Sequence, residues 1–144
     1  MKPSSDSLER AVSQLLVATA KLTRRLRVVS NMRELTWSQV AIMARLEVAG
    51  PMTTADLARA EAVKPQSMGG TLANMEVEGL VERRPDPTDG RHVLFAFTKS
   101  GKEVRNAARI AKQDWLRSAM AELDDEELKA LTDAVGLINR IANL

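Results

Sequence analysis

The 144-residue chain contains no cysteine and no tyrosine, a single histidine, two phenylalanines and two tryptophans. Without cysteine there are no disulfides, thiolate zinc sites, thiol nucleophiles or thiol redox sensors. One histidine and no phosphate-binding glycine motif leave little catalytic material, which argues against an enzyme. His92 has no cysteine or carboxylate array beside it, so it reads as a strand residue, and neither a metal nor a cofactor is expected. No apolar run reaches the length that spans a bilayer, and Met1 to Ser7 lacks the apolar stretch of a signal peptide. A cytoplasmic protein with no membrane partner is the resulting expectation.

What is present is an ordinary globular composition, 44% apolar and 28% charged, of a length that suits one domain over residues 1–144. The net charge of +2 is compatible with a polyanionic partner without demanding one. Basic residues gather early (Lys21, Arg24, Arg25, Arg27) and again at Lys99, Lys102, Arg105, Arg109 and Lys112, whereas Asp124 to Glu127 form a late acidic cluster. The early run reads first as a solvated helix face. The acidic cluster reads as a capped helix start, because successive helical residues do not converge on one point.

Leu8, Val12, Leu15, Thr19, Leu22, Leu26 and Val29 alternate at spacings of four and three, the stripe of a long helix with Asp6 and Glu9 in capping-box position. Thr36 and Gln39 open a second helix that stops at Gly50-Pro51. Thr53 and Asp56 open a short third one, ending near Ala62. Pro65 suits the first turn of a fourth, with Met68, Leu72 and Met75 buried and Gly79 as its left-handed stop. Val81–Arg84 and His92–Phe97 are β-prone runs around the turn-rich Pro85-Asp86-Pro87-Thr88-Asp89-Gly90. They predict a two-stranded wing. Thr98 and Asp124 then cap two closing helices. Trp37 and Trp115 read as core or dimer packing before any ligand pocket, and the methionines as core filling.

The predicted fold is mainly α with a small β-hairpin wing, a winged helix-turn-helix flanked by long N- and C-terminal dimerisation helices. Residues 36–98 form the lobe that would meet double-stranded DNA. The recognition helix spans Lys64 to Glu78 and turns Gln66, Ser67, Gly70, Thr71 and Asn74 outward. Gln66 and Asn74 carry amides suited to adenine, while Ser67 and Thr71 have hydroxyls for phosphate or base. Lys64, Arg83 and Arg84 rank as phosphate contacts at best, since basic residues near a hairpin often form surface ion pairs. Gly69-Gly70 is unusual, since each glycine costs roughly 1 kcal/mol against alanine inside a helix.

Asp89-Gly90-Arg91 followed by His92-Val93-Leu94-Phe95-Ala96-Phe97-Thr98 resembles the wing signature of the MarR (multiple antibiotic resistance regulator) family. Gly79-Leu80-Val81-Glu82-Arg83 and Thr54-Ala55-Asp56-Leu57-Ala58 are similar to further segments of that family, and the resemblance spans nearly the whole chain. It implies a homodimer held by residues 6–30 and 99–144, two winged lobes reading a pseudo-palindromic operator, and release by a small aromatic or phenolic effector. Arg91 would then enter the minor groove at the wing tip, oriented by Asp89. The other function these residues allow is a winged-helix protein-interaction module without DNA readout, which the modest charge of Thr53–Thr98 permits.

Overall fold

Each predicted helix forms, and its capping residues show why it starts where it does. The computed structural model describes residues 1, 3–31 and 34–144. The first helix, α1 (Ser5–Val29), begins at Ser4, whose hydroxyl accepts the Ser7 N–H at 3.3 Å. Asp6 therefore lies inside the first turn, where its charge suits the helix dipole, and the expected Asp6/Glu9 box is not used. Helix α2 (Trp37–Ala49) opens with the reciprocal Thr36/Gln39 box and stops at Gly50, which takes φ +76° before Pro51.

A two-residue strand, β1 (Met52–Thr53), leads into α3 (Thr54–Ala60). Thr53 caps α3 through the Asp56 N–H, but the Asp56 carboxylate binds Arg59 at 3.0 Å instead of returning the bond. Helix α4 (Pro65–Val77) has Pro65 in its first turn. It closes with Gly79 at φ +74° and the Leu80 N–H donating to the Met75 carbonyl at 2.9 Å, a Schellman closure. Strands β2 (Val81–Pro85) and β3 (Val93–Phe97) make the wing. Helices α5 (Lys99–Met120) and α6 (Asp125–Ala142) follow, capped by Thr98 and by an Asp124/Glu127 box.

The wing differs from expectation in two ways. Its sheet has three antiparallel strands in the order β1-β3-β2, because Met52 and Thr53 pair with Phe95 and Leu94 and cover the second edge of β3. Two residues are too short a run to show alternation in sequence. His92 belongs to the turn and not to β3: its N–H donates to the Asp89 carbonyl at 3.0 Å, and its own carbonyl accepts from Asp86 at 3.1 Å.

The core lies within the winged lobe and the first half of α5. Ile42, Met43 and Leu46 of α2 meet Leu57 and Ala58 of α3, Met68, Leu72 and Met75 of α4, the sheet residues Val81, Phe95 and Phe97, and Ala108 of α5. Neither α1 nor α6 contributes a buried residue. Leu8, Val12, Leu15 and Leu16 on α1 and Leu131, Val135, Ile138 and Ile141 on α6 stand exposed. Among the described residues, no helix is long and apolar enough to cross a membrane.

Candidate nucleic-acid interface

Burial of Met68, Leu72 and Met75 fixes the rotation of α4 and therefore which side chains face outward. Gln66, Ser67, Gly70 and Asn74 are exposed, as the sequence predicted, and Thr71 is half-buried at the edge of the stripe. The Gln66 and Asn74 amides are engaged by no other side chain or backbone group among the described residues. Thr71 is different, for its hydroxyl donates back to the Ser67 carbonyl at 3.1 Å. That leaves it a lone-pair acceptor more than a donor. Lys64 is exposed at the N-cap of α4 and makes no side-chain capping bond. A Cβ added at Gly69 or Gly70 would meet nothing within 4 Å, so packing inside the protein does not require glycine at either position.

The wing turn is built from two carboxylates. Asp86 accepts the Thr88 N–H at 2.9 Å and the Thr88 hydroxyl at 2.8 Å, and these two bonds hold its carboxyl below the usual range. Asp89 takes the Arg91 guanidinium in a fork, with Nε on one oxygen and Nη2 on the other, both at 3.1 Å, and also accepts the Arg91 backbone N–H at 3.1 Å. The side-chain bonds first and the backbone bond second lower the Asp89 pKa, while the same pair raises that of Arg91. A carboxyl that titrates lower when folded stabilises the turn above about pH 4 and ceases to do so as pH falls through its folded value.

The Arg91 side chain is 88% exposed, so the fork orients the guanidinium without burying it. His92 lies 3.8 Å from Asp89 and 4.0 Å from Asp86. Arg91 and His92 face the first turn of α3 across an open cleft that Thr54, Asp56 and Arg59 also line.

Farther down the hairpin, Arg84 pairs with Glu82 at 2.6 Å, an exposed ion pair that a phosphate can replace at small cost. Arg83, one residue earlier, binds Glu76 at 3.1 Å and lies 5.3 Å from the Phe95 ring centroid, which ties the wing to the end of α4. Its cross-strand register opposite Phe95 places that contact, so Arg83, ranked from sequence as a phosphate contact at best, is engaged within the chain.

The early basic run is not merely solvated. Arg27 stacks 4.2 Å over the Trp37 ring and donates from Nη2 to the Leu35 carbonyl, and Arg25 lies 5.5 Å from Trp115. Trp37 is thus an exposed stacking partner and not a core residue of this chain. The Arg27 Nη1 is buried with no hydrogen-bond partner among the described residues. It lines a small cleft with Thr23, Ser30, Trp37 and Lys112, whose ammonium is pushed to a lower pKa by burial first and by Arg105 second. Next to it, a cavity of about 820 Å³ opens between the end of α1, Leu35, Leu80 and the Val104–Ala111 face of α5.

The sequence profile of the MarR family matches residues 35–93, which span α2 to the start of β3. An HTH-type transcriptional regulator of Mycobacterium bovis, itself uncharacterized, is 38% identical over 133 residues, covering 92% of this chain and 93% of that protein. The chain belongs to the MarR family. The homoprotocatechuate degradative operon repressor of Escherichia coli is 30% identical over 127 residues, 88% of this MarR chain and 84% of the repressor. The crystal structure of a transcriptional regulator protein of Pseudomonas aeruginosa superposes with a TM-score of 0.85 at 28% identity, over 99% of each chain. This MarR-family protein is a transcriptional regulator with a winged-helix fold, and its three-stranded sheet and long flanking helices are those of the family.

Proposed function

We propose that this MarR-type regulator is a homodimeric repressor that binds a pseudo-palindromic operator in double-stranded DNA and is released by a small aromatic or phenolic effector. The observation that carries the DNA reading is the joint state of α4 and the wing. The lobe presents the unengaged Gln66 and Asn74 amides on one element and a fully charged, pre-oriented Arg91 on the next. Major-groove readout needs the first and minor-groove readout the second.

On this reading residues 36–98 are the DNA-binding lobe, and residues 6–30 and 99–144 join two lobes into a dimer acting in the cytoplasm. The exposed apolar faces of α1 and α6 favour that dimer. The repressor sign is favoured by the relative that represses an operon. The cavity beside the buried Arg27 Nη1, which has no hydrogen-bond partner among the described residues, favours an effector that brings an acceptor oxygen and an aromatic ring to the joint between lobe and long helices.

The test is enrichment of binding sites from random-sequence DNA by the full chain, followed by gel-shift titration at several salt concentrations. A two-fold-symmetric motif is expected. Arg91→Ala should weaken binding several-fold and lower the magnitude of the salt slope by about one, the loss of a single phosphate-screening charge. Binding no tighter than to unrelated DNA would overturn the proposal, and an unchanged salt titration would remove Arg91 from the site.

A further inference from the structure

We infer that α4 reads A·T pairs alone, through adenine edges and thymine methyl groups, and recognises no guanine. The inference rests on the DNA-binding reading above and specifies its chemistry. Gln66, Gly70, Ala73 and Val77 follow one another at spacings of four, three and four, so they share the line that points directly away from the buried Met68, Leu72 and Met75, with Asn74 beside it. Guanine is read in the major groove chiefly by arginine or lysine on its O6 and N7. Between Pro65 and Val77 there is no basic residue at all.

The cations that flank the helix in sequence are placed otherwise. Lys64 precedes the first turn, and Arg83 is held by Glu76 and the Phe95 ring. Cytosine would be read by a carboxylate accepting from its N4. The only acid within α4 is Glu76, and it is the partner of Arg83.

With the Ser67 hydroxyl, which lies to the side of this stripe, left to a phosphate, the remaining groups suit one base pair. Gln66 and Asn74 each offer an acceptor and a donor side by side, the match for adenine N6 and N7. Val77 is 88% exposed and carries two methyl groups, and the half-buried Ala73 adds one more on the same line. The apolar feature of the major groove is the thymine methyl, and an alanine-type methyl meets it well. Gly70, with nothing near its absent Cβ, sets no side chain between these groups and the groove floor.

The experiment uses the full chain and the tightest sequence enriched from random DNA, with single-atom base analogues placed one position at a time. Replacing thymine by uracil removes only the methyl and should weaken binding about fourfold at one or two positions per half-site, the worth of a buried carbon group. At adjacent positions 7-deazaadenine, which lacks the N7 acceptor, should cost tenfold or more, and Gln66→Ala or Asn74→Ala should erase that analogue's effect. Arg91→Ala should leave both effects intact, since the wing acts from the other groove.

Substituting 7-deazaguanine anywhere in the half-site is expected to cost nothing. A guanine whose N7 removal costs tenfold, or uracil tolerated at every thymine, overturns the inference while leaving sequence-specific binding in place. Failure to enrich any sequence overturns the DNA-binding reading itself, so the two failures are distinguishable.

Discussion

Gly101→Ala is expected to be strongly destabilising, although the same substitution at Gly69 or Gly70 is expected to stabilise. Gly101 is buried in the first turn of α5, where a Cβ would lie 2.0 Å from the Leu80 carbonyl oxygen and 2.9 Å from its carbon. Both atoms are backbone, and that backbone is pinned: the Leu80 carbonyl accepts the Thr98 N–H at 3.2 Å, while the Thr98 hydroxyl binds the Gly79 carbonyl and caps Gly101 at 2.9 Å. Alanine gains about 1 kcal/mol over glycine in helix propensity. Overpacking a fixed backbone costs about 1–3 kcal/mol and occasionally more.

The upper part of that range is expected here, because relief requires α5 to move off the α4–β2 junction. At Gly69 and Gly70 no clash opposes the propensity gain, so each alanine should stabilise by up to about 1 kcal/mol. Urea or thermal unfolding of the three single variants, side by side, checks both signs. A Gly101→Ala protein as stable as the parent would show that the α5 start yields easily. Gly101 is where α5 presses on the turn between α4 and β2, so on the DNA-binding reading its variant should alter operator affinity as well as stability.

That contact was not legible in the sequence, and the reason is instructive. Caps are local, so Thr36/Gln39, Thr98 and Asp124/Glu127 announced their helices within four residues. The buried line of α4 follows from helical period alone, and with it the outward Gln66, Ser67, Gly70 and Asn74. Asp89 and Arg91 were legible as a pair through their resemblance to the family's wing signature, and the bond between them spans only two residues.

What escaped depends on partners far away in the chain. Gly101 answers to Leu80, β1 to Phe95, Arg83 to a ring across the hairpin, and Arg27 to Trp37. The core half of the Trp37 reading fails for the same reason: an apolar ring on an amphipathic helix looks alike whether it meets the core of its own chain, a partner or a guanidinium. A glycine in the first turn of an otherwise well-capped helix was the one available signal for the α5 contact.

Leu131→Glu combined with Val135→Glu is expected to separate dimer formation from folding and to weaken operator binding by 100-fold or more. The two residues lie one turn apart on the exposed apolar stripe of α6, and α6 supplies no buried residue to the lobe. Placing two like charges four residues apart costs the helix itself only about 0.2–0.5 kcal/mol. The lobe core of α2, α3, α4 and the sheet should therefore persist, with its helical circular dichroism and its unfolding transition retained. Sedimentation should show a monomer.

A dimer binds its second half-site as an intramolecular step, and linkage of this kind raises apparent affinity by about 10²–10⁴-fold. The monomer forfeits that gain without losing any residue of α4 or the wing. The parent protein can be deprived of it from the other side, by inserting half a helical turn between half-sites that otherwise lie roughly 34–36 Å apart on one DNA face. Protein and DNA changes that remove the same linkage should not add: the insertion that weakens the parent severely should barely affect the double variant. If the two losses multiply instead, α6 acts on DNA binding by some route other than pairing two lobes, and the homodimer proposal fails.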